Sequence, residues 1–378
     1  MQKRWDIFCT VVDNFGDIGV SWRLARQLAT EHGLRVRLWV DDLTIFACIV
    51  PDIDPSAAQQ CLQGIEICHW QQPYAQVEPA EVVIEAFAVT LPDNYITAMT
   101  QLPQQPVWIN LEYLSAENWV VNYHGLPSPH PRFPLVKYFF FPGFVADTGG
   151  LLRTQDLLST CKLFDDAAQS EFWQRLGLPA RRAGELRISL FCYDCVPLEE
   201  LFAAWSRSVV PIYVLVPNDS VMQQQITAYF GSELCSAGEV LQWGQLTVQQ
   251  IPFLQQMVYD QLLWACDVNF VRGEDSFVRA QWAARPFVWQ IYPQSADAHW
   301  PKLDAFLNLY TENMPPQMAT VVRLFWYSCN GDGLINETWP AFVASQTALK
   351  QHGEKWAEQL SCQDDLVSNL VRFARNQI

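Results

Sequence analysis

Charge is scarce in this chain. Asp, Glu, Lys and Arg together supply only 17% of its residues, well under the usual quarter, which argues against disorder and coiled coil. Basic residues are scarcer still: 24 Lys and Arg stand against 40 Asp and Glu, a formal net charge of −16 at pH 7. A surface of that sign repels phosphate backbones, so no nucleic-acid partner is expected. It suits a cationic patch or side chain on a partner, or merely keeps the chain in solution. Long apolar runs are missing as well. None approaches a membrane span, and no charged n-region followed by an apolar h-region opens the chain, Trp5–Val12 being too short for one. A soluble, cytoplasmic protein without membrane association is the expectation. Internal repeats of solenoid period and low-complexity segments are also absent.

The eleven cysteines lack paired framework spacing, and many sit in apolar runs such as Asp6-Ile7-Phe8-Cys9. They read as reduced core residues. Cys192-Tyr193-Asp194-Cys195 has C-x-x-C spacing, but no second Cys or His pair accompanies it, so neither zinc nor redox chemistry is expected there.

What is abundant is core-forming side chain: 50% of residues are hydrophobic and 13% aromatic, in a chain of 378. That length suits two domains. Trp5–Val12, Leu34–Val40, Glu81–Ala88, Pro106–Leu111 and Val136–Phe141 read as buried strands, with Val20–Glu31 as an amphipathic helix between the first two. The pattern breaks over Thr154–Glu185 and then restarts. Leu186–Tyr193, Pro211–Pro217, Leu246–Ile251, Cys266–Val271 and Phe287–Tyr292 read as strands, separated by helices at Leu198–Ser206, Phe253–Trp264 and from Asp275. Strand and helix in this rhythm indicate parallel sheets covered on both faces. The expectation is an α/β fold of two Rossmann-like domains facing a cleft. Residues 1–180 form the first, 181–357 the second, and 358–378 a helical tail that crosses back onto the first.

Two loops carry the chemistry. The first is Val12-Asp13-Asn14-Phe15-Gly16-Asp17-Ile18-Gly19, between the first strand and its helix, where ligands sit in open α/β sheets. It has G-x-x-G and not the G-x-G-x-x-G dinucleotide fingerprint. Two carboxylates also make it a poor pyrophosphate cradle. Asp13 and Asp17 admit two readings: one an N-cap and the other a neighbour of the helix dipole, or a pair that accepts a proton and orients a cation. The second loop is Arg272-Gly273-Glu274-Asp275-Ser276, again between strand and helix. Free N–H groups at a helix start, a hydroxyl and an arginine suit a diphosphate, and Glu274 can accept from sugar or ribose hydroxyls. The alternative is a plain capping segment. Phe191, Tyr193 and Phe253 can clamp a base or pack in the core.

Taken together, these segments resemble the protein-arginine rhamnosyltransferases of elongation factor P, the EarP family. The resemblance rests on Asp13–Leu24, on Asn110-Leu111-Glu112-Tyr113-Leu114-Ser115-Ala116-Glu117, on Phe141-Pro142-Gly143-Phe144, on Thr148-Gly149-Gly150-Leu151 and on Arg272–Phe277, which keep their order along most of the chain. It implies GT-B architecture, with the acceptor side N-terminal and the nucleotide-sugar side C-terminal. It implies dTDP-β-L-rhamnose as co-substrate, an arginine of elongation factor P as acceptor, inversion to an α-linked product, and neither metal nor cofactor. Modification would activate that factor to rescue stalled translation. By the same resemblance Asp13 and Asp17 are the catalytic carboxylates, with Asp17 the favoured base. Asn14, Gly16, Phe191, Tyr193, Phe253, Gln256, Arg272, Glu274, Asp275 and Ser276 bind the donor. Two other readings fit the residues: a nucleotide-sugar epimerase on the same architecture, and a non-catalytic partner of a translation factor. Asn110–Glu117 either packs a strand end or grips the protein acceptor.

Overall fold

The computed structural model describes residues 3–12, 15–72, 76–87, 89–218, 220–232 and 237–377. The chain divides into two units, residues 1–155 with 360–378, and residues 156–359.

Unit one opens with β1 (Arg4–Cys9), α1 (Gly16–His32), β2 (Arg35–Val40) and α2 (Leu43–Ile49). A hairpin of β3 (Gln59–Leu62) and β4 (Ile65–His69) follows, then β5 (Val82–Ala86), α3 (Asp93–Thr100), β6 (Val107–Leu111), the single turn α4 (Val120–Tyr123), β7 (Pro127–Pro129) and β8 (Val136–Phe140). They form an eight-stranded sheet of order β3-β4-β2-β1-β5-β6-β8-β7, parallel except for its two edge strands. The middle strands are apolar on both faces because both are covered. α1 lies against β1 and β2, while Tyr95, Ile96 and Met99 of α3 pack on the face that carries Phe8, Trp39 and Trp108. One charge is buried among them. Asp6 on β1 is fully enclosed, and Arg37, its neighbour across to β2, meets it with two hydrogen bonds of 2.8 and 2.6 Å. The Tyr95 hydroxyl also donates to it. A buried carboxylate survives only with such partners.

Unit two begins with α5 (Leu157–Leu163) and α6 (Asp166–Arg175), followed by β9 (Leu186–Leu190), α7 (Leu198–Ser206), β10 (Ile212–Pro217) and α8 (Ser220–Phe230). After the hairpin β11 (Val240–Trp243) and β12 (Leu246–Ile251) come α9 (Gln256–Ala265), β13 (Val268–Arg272), α10 (Glu274–Trp282) and β14 (Phe287–Gln290). The six strands run in the order β11-β12-β10-β9-β13-β14, all parallel but β11. Then follow α11 (His299–Thr311), α12 (Pro316–Cys329), α13 (Ile335–Ala344) and α14 (Gln346–Ser361). The first division falls at 155 rather than at 180, and for a visible reason. Phe172, Trp173 and Leu178 pack on Tyr213, Leu215, Ile251 and Leu262, so α6 is part of the second core.

The tail, α15 (Leu366–Gln377), belongs to unit one. Its apolar stripe Leu366, Val367, Leu370, Val371 and Ala374 is buried at helical spacing. Two motifs quoted above dock it. Leu366 N–H donates to Leu151 O at 2.9 Å, Asn369 Nδ2 to Gly149 O at 3.0 Å, and Gln363 Nε2 to Phe144 O at 2.9 Å. Gly150 has φ +79°, and a Cβ there would lie 2.6 Å from Asp364 O. Gly150→Ala is therefore expected to cost about 1–3 kcal/mol and to raise hydrogen exchange over 360–378. An unchanged urea midpoint would show that the docking tolerates the methyl group.

Candidate active site

In each sheet the winding reverses at one strand. From β1 the chain builds outward through β2 and β4, then returns to place β5, β6 and β8 on the other side. From β9 it builds through β10 and β12, then returns for β13 and β14. The loops at the carboxyl ends of such strands diverge and leave a crevice where ligands bind. The sequence-predicted residues that the structure describes lie at these two places.

In unit one, Gly16 and Asp17 open α1 just beyond β1. Asp13 and Asn14 lie outside the described residues. The N-cap of α1 is Phe15, which supplies no side-chain cap, so Asp17 does not act as one. Asp17 stands in the first turn, and its Oδ2 accepts the Val12 N–H at 2.9 Å, folding the loop back over the helix start. The carboxylate is only 2% exposed. Beside it, burial pushes the Cys9 thiol well up, with the charge of Asp17 adding to the effect.

In unit two the residues expected on the donor side lie just after β9, β12 and β13. Phe191 and Tyr193 follow β9, Phe253 follows β12, Gln256 begins α9, and Arg272 to Ser276 join β13 to α10. The Arg272 guanidinium lies 4.5 Å from the Phe191 ring and 4.9 Å from the Tyr193 ring, and its Nη1 donates to Cys192 O at 2.9 Å. It thus braces the 191–193 loop. Gln290, at the end of β14, accepts the Tyr193 N–H from the other side. Gly273 caps α10 with φ 65° and ψ −170°, a backbone open only to glycine. Glu274 and Asp275 fill the first turn, where the helix dipole favours negative charge. Gln256 Nε2 donates to Asp275 Oδ2 at 3.3 Å, and the Ser276 hydroxyl donates to Arg272 O. Two further fixings hold α10. Arg279 meets Asp260 of α9 through bonds of 2.8 and 2.6 Å, and Phe277 stacks on Trp289 at 4.0 Å.

Sequence reasoning overlooked Tyr259. Its ring meets Phe191 edge-on at 6.0 Å, and burial, with the Asp275 charge adding, pushes its phenol well up. The signal was available: it lies three residues after Gln256 on one helix face. Among the described residues no group of His, Cys, Asp and Glu could hold a metal ion, and no helix is long and apolar enough to cross a membrane.

The architecture has known counterparts. The solved structure of Acinetobacter baumannii MurG matches over 100% of both chains with a TM-score of 0.50 at 11% identity, a likeness of fold alone. Two units of this kind make a GT-B architecture. The chain belongs to the family described as Elongation-Factor P (EF-P) rhamnosyltransferase EarP, whose model matches residues 5–375. A protein-arginine rhamnosyltransferase of Pseudomonas putida is 47% identical over 380 residues, covering 100% of both chains. A solved structure described as the structural basis for EarP-mediated arginine glycosylation of translation elongation factor EF-P matches with a TM-score of 0.72 and 34% identity, again over 100% of each chain.

Stacking of a base on an aromatic ring contributes about 1–3 kcal/mol, so Phe253→Ala is expected to raise the dTDP dissociation constant by about tenfold. Calorimetry showing no change would return Phe253 to a packing role.

Proposed function

We propose that this chain transfers L-rhamnose from dTDP-β-L-rhamnose to an arginine side chain of elongation factor P, with inversion to the α-linked product. The observation that carries the reading is the buried Asp17 carboxylate, held by the Val12 N–H at the carboxyl end of β1 in a member of this family. Asp13, the other aspartate of the loop, shares in holding the guanidinium.

The chemistry explains why a carboxylate is required. Guanidinium has a pKa above about 12, and its nitrogen lone pairs are delocalised, so it is a poor nucleophile. In the proposed step a guanidinium nitrogen attacks C1 of the rhamnosyl group. The C1–O bond to the diphosphate breaks, dTDP leaves with that electron pair, and the N–H proton passes to Asp17. Attack opposite the leaving group inverts C1. A charged carboxylate next to the nitrogen localises its positive charge and accepts the proton as the bond forms.

The donor reading rests on the residues that follow β9, β12 and β13 in unit two. Phe191, Tyr193 and Phe253 offer ring faces for thymine, with Gln256 beside them. Glu274 accepts from sugar hydroxyls, and the backbone N–H groups of Asp275 and Ser276 face the charge that grows on the diphosphate. Asn14 and Gly16 complete the donor side, and Arg272 acts by holding the two rings. Metal is not required in this scheme, and the reaction belongs to the cytoplasm, where translation factors work. The described cysteines are all unpaired, which fits a reducing compartment.

Intact-mass measurement of elongation factor P incubated with the enzyme and dTDP-β-L-rhamnose is expected to show one added deoxyhexose, α-linked by NMR, at the same rate with and without EDTA. Asp17→Asn is expected to lower kcat by about 10²–10⁴-fold while dTDP binding persists. No adduct with the unaltered enzyme, or a β-linked one, refutes the proposal.

A further inference from the structure

The carboxyl ends of β5, β6 and β8 carry polar side chains that the scheme above leaves unused. Two of them pair off. Glu85 on β5, 1% exposed, receives Lys137 Nζ of β8 at 2.6 Å and the Leu91 N–H at 3.3 Å. The same ammonium lies 5.1 Å from the Trp108 ring. Asn110 and Glu112 are different. Asn110 Nδ2 donates to Glu112 Oε1, which aims that carboxylate. The other end of the amide, Asn110 Oδ1, is buried and has no hydrogen-bond partner among the described residues. Leaving such an oxygen unsatisfied is costly, because its desolvation is not offset by a bond. An amide oxygen without a donor and a half-buried carboxylate with only Oε1 engaged therefore stand side by side.

Their place in the sheet says which donor. Cys9 pairs with Ala86, Ala86 with Leu111, and Leu111 with Phe140, so these four residues form one row across the strands. The Asp17 loop leaves β1 just past that row, and Glu112 leaves β6 just past it, two strands away. At roughly 4.8 Å per strand the separation of the two chains is about 10 Å. Between them, Phe87 at the end of β5 stacks on Tyr113 at 4.8 Å, with Phe87 held at φ 59°. That backbone is costly for a bulky residue and persists only where its surroundings impose it. The Tyr113 ring is 39% exposed. A planar cation with several N–H donors, able to lie along an aromatic face, is the chemical complement of this arrangement. An ammonium ion matches it less well, being a compact point charge that cannot span two acceptors in one plane.

Resting on the arginine-acceptor reading, we propose that Asn110 Oδ1 and Glu112 form a second cradle for the acceptor guanidinium. They hold the N–H groups that do not react while Asp17 serves the nitrogen that does. Two carboxylates, one at the start of α1 and one just past β6, fix the guanidinium plane, as one carboxylate alone cannot. Burial pushes the Glu112 carboxyl up while the Asn110 bond and Lys137 draw it down, and an arriving guanidinium favours its charged form further.

The test uses the full chain and whole elongation factor P. Glu112→Gln keeps the shape and the Asn110 contact but removes the charge. It is expected to raise the acceptor KM about tenfold or more, with the calorimetric dissociation constant for dTDP and the melting temperature unchanged. Methylguanidine should inhibit the unaltered enzyme competitively against the acceptor and inhibit Glu112→Gln less. An unchanged acceptor KM overturns the proposal. So does a rise accompanied by equal losses in dTDP affinity and melting temperature, since that marks a packing role. If Glu112→Gln does not fold, Asn110→Ser, which removes the amide oxygen, is read by the same criteria. Failure of the underlying reading is separately visible, because the unaltered enzyme would then give no adduct.

Discussion

A parallel sheet wound in two directions from one strand cannot be covered at the carboxyl end of that strand. The helices that would close it leave toward opposite sides, and the chain must place there groups that tolerate water or a ligand. This constraint acts twice here, once at β1 and once at β9. Along the rest of each sheet the strands are largely apolar on both faces, and buried charges are matched in pairs, Asp6 with Arg37 between strands and Asp260 with Arg279 between helices. Those pairs brace strand to strand and helix to helix away from the ends that stay open. Desolvated ion pairs add little net stability, but the loss of one partner is severe, so they hold the framework of each crevice to one geometry.

The two open ends differ in chemistry. Around β1 the side chains are acceptors: Asp17, the Asn110 amide oxygen and Glu112. Around β9 they are ring faces, amides and a helix start: Phe191, Tyr193, Phe253, Gln256 and the first turn of α10. A cation suits the former, and a flat base joined to a diphosphate suits the latter. The overall charge of −16 gives the same sign to the long-range field that a cationic protein surface would meet on approach. The Arg272 guanidinium lies against two rings and donates to a carbonyl, which braces the 191–193 loop.

Most strands of both sheets were legible because their apolar runs are short, β-branched and bounded by turn residues. Four strands were not. β3, β7 and β11 are half-exposed or short edge strands whose pattern is diluted by Gln, Pro and Ser, and β4, beside β3, is a short run broken by Glu66; the Gln63-Gly64 turn, with both residues at positive φ, was the one local sign of the first hairpin. The domain division at 155 escaped because α6 looks like a surface helix in sequence. Only its packing on β10 and β12 shows to which core it belongs.

The sequence by itself determined the strand–helix alternation, the two glycine-bearing loops and the order of motifs that places the chain in its family, since each is a local pattern of side-chain size, charge and turn chemistry. It could not determine which groups end without a partner. Tertiary structure decided that Asp17 folds back on Val12 rather than capping α1, and that Arg272 braces rings. It decided too that the Gly149-Gly150 motif seats the tail, and that the Asn110 oxygen is buried with nothing to bond. The reason is physical: hydrogen-bond satisfaction and desolvation depend on residues dozens or hundreds of positions apart, and only folding brings them within reach.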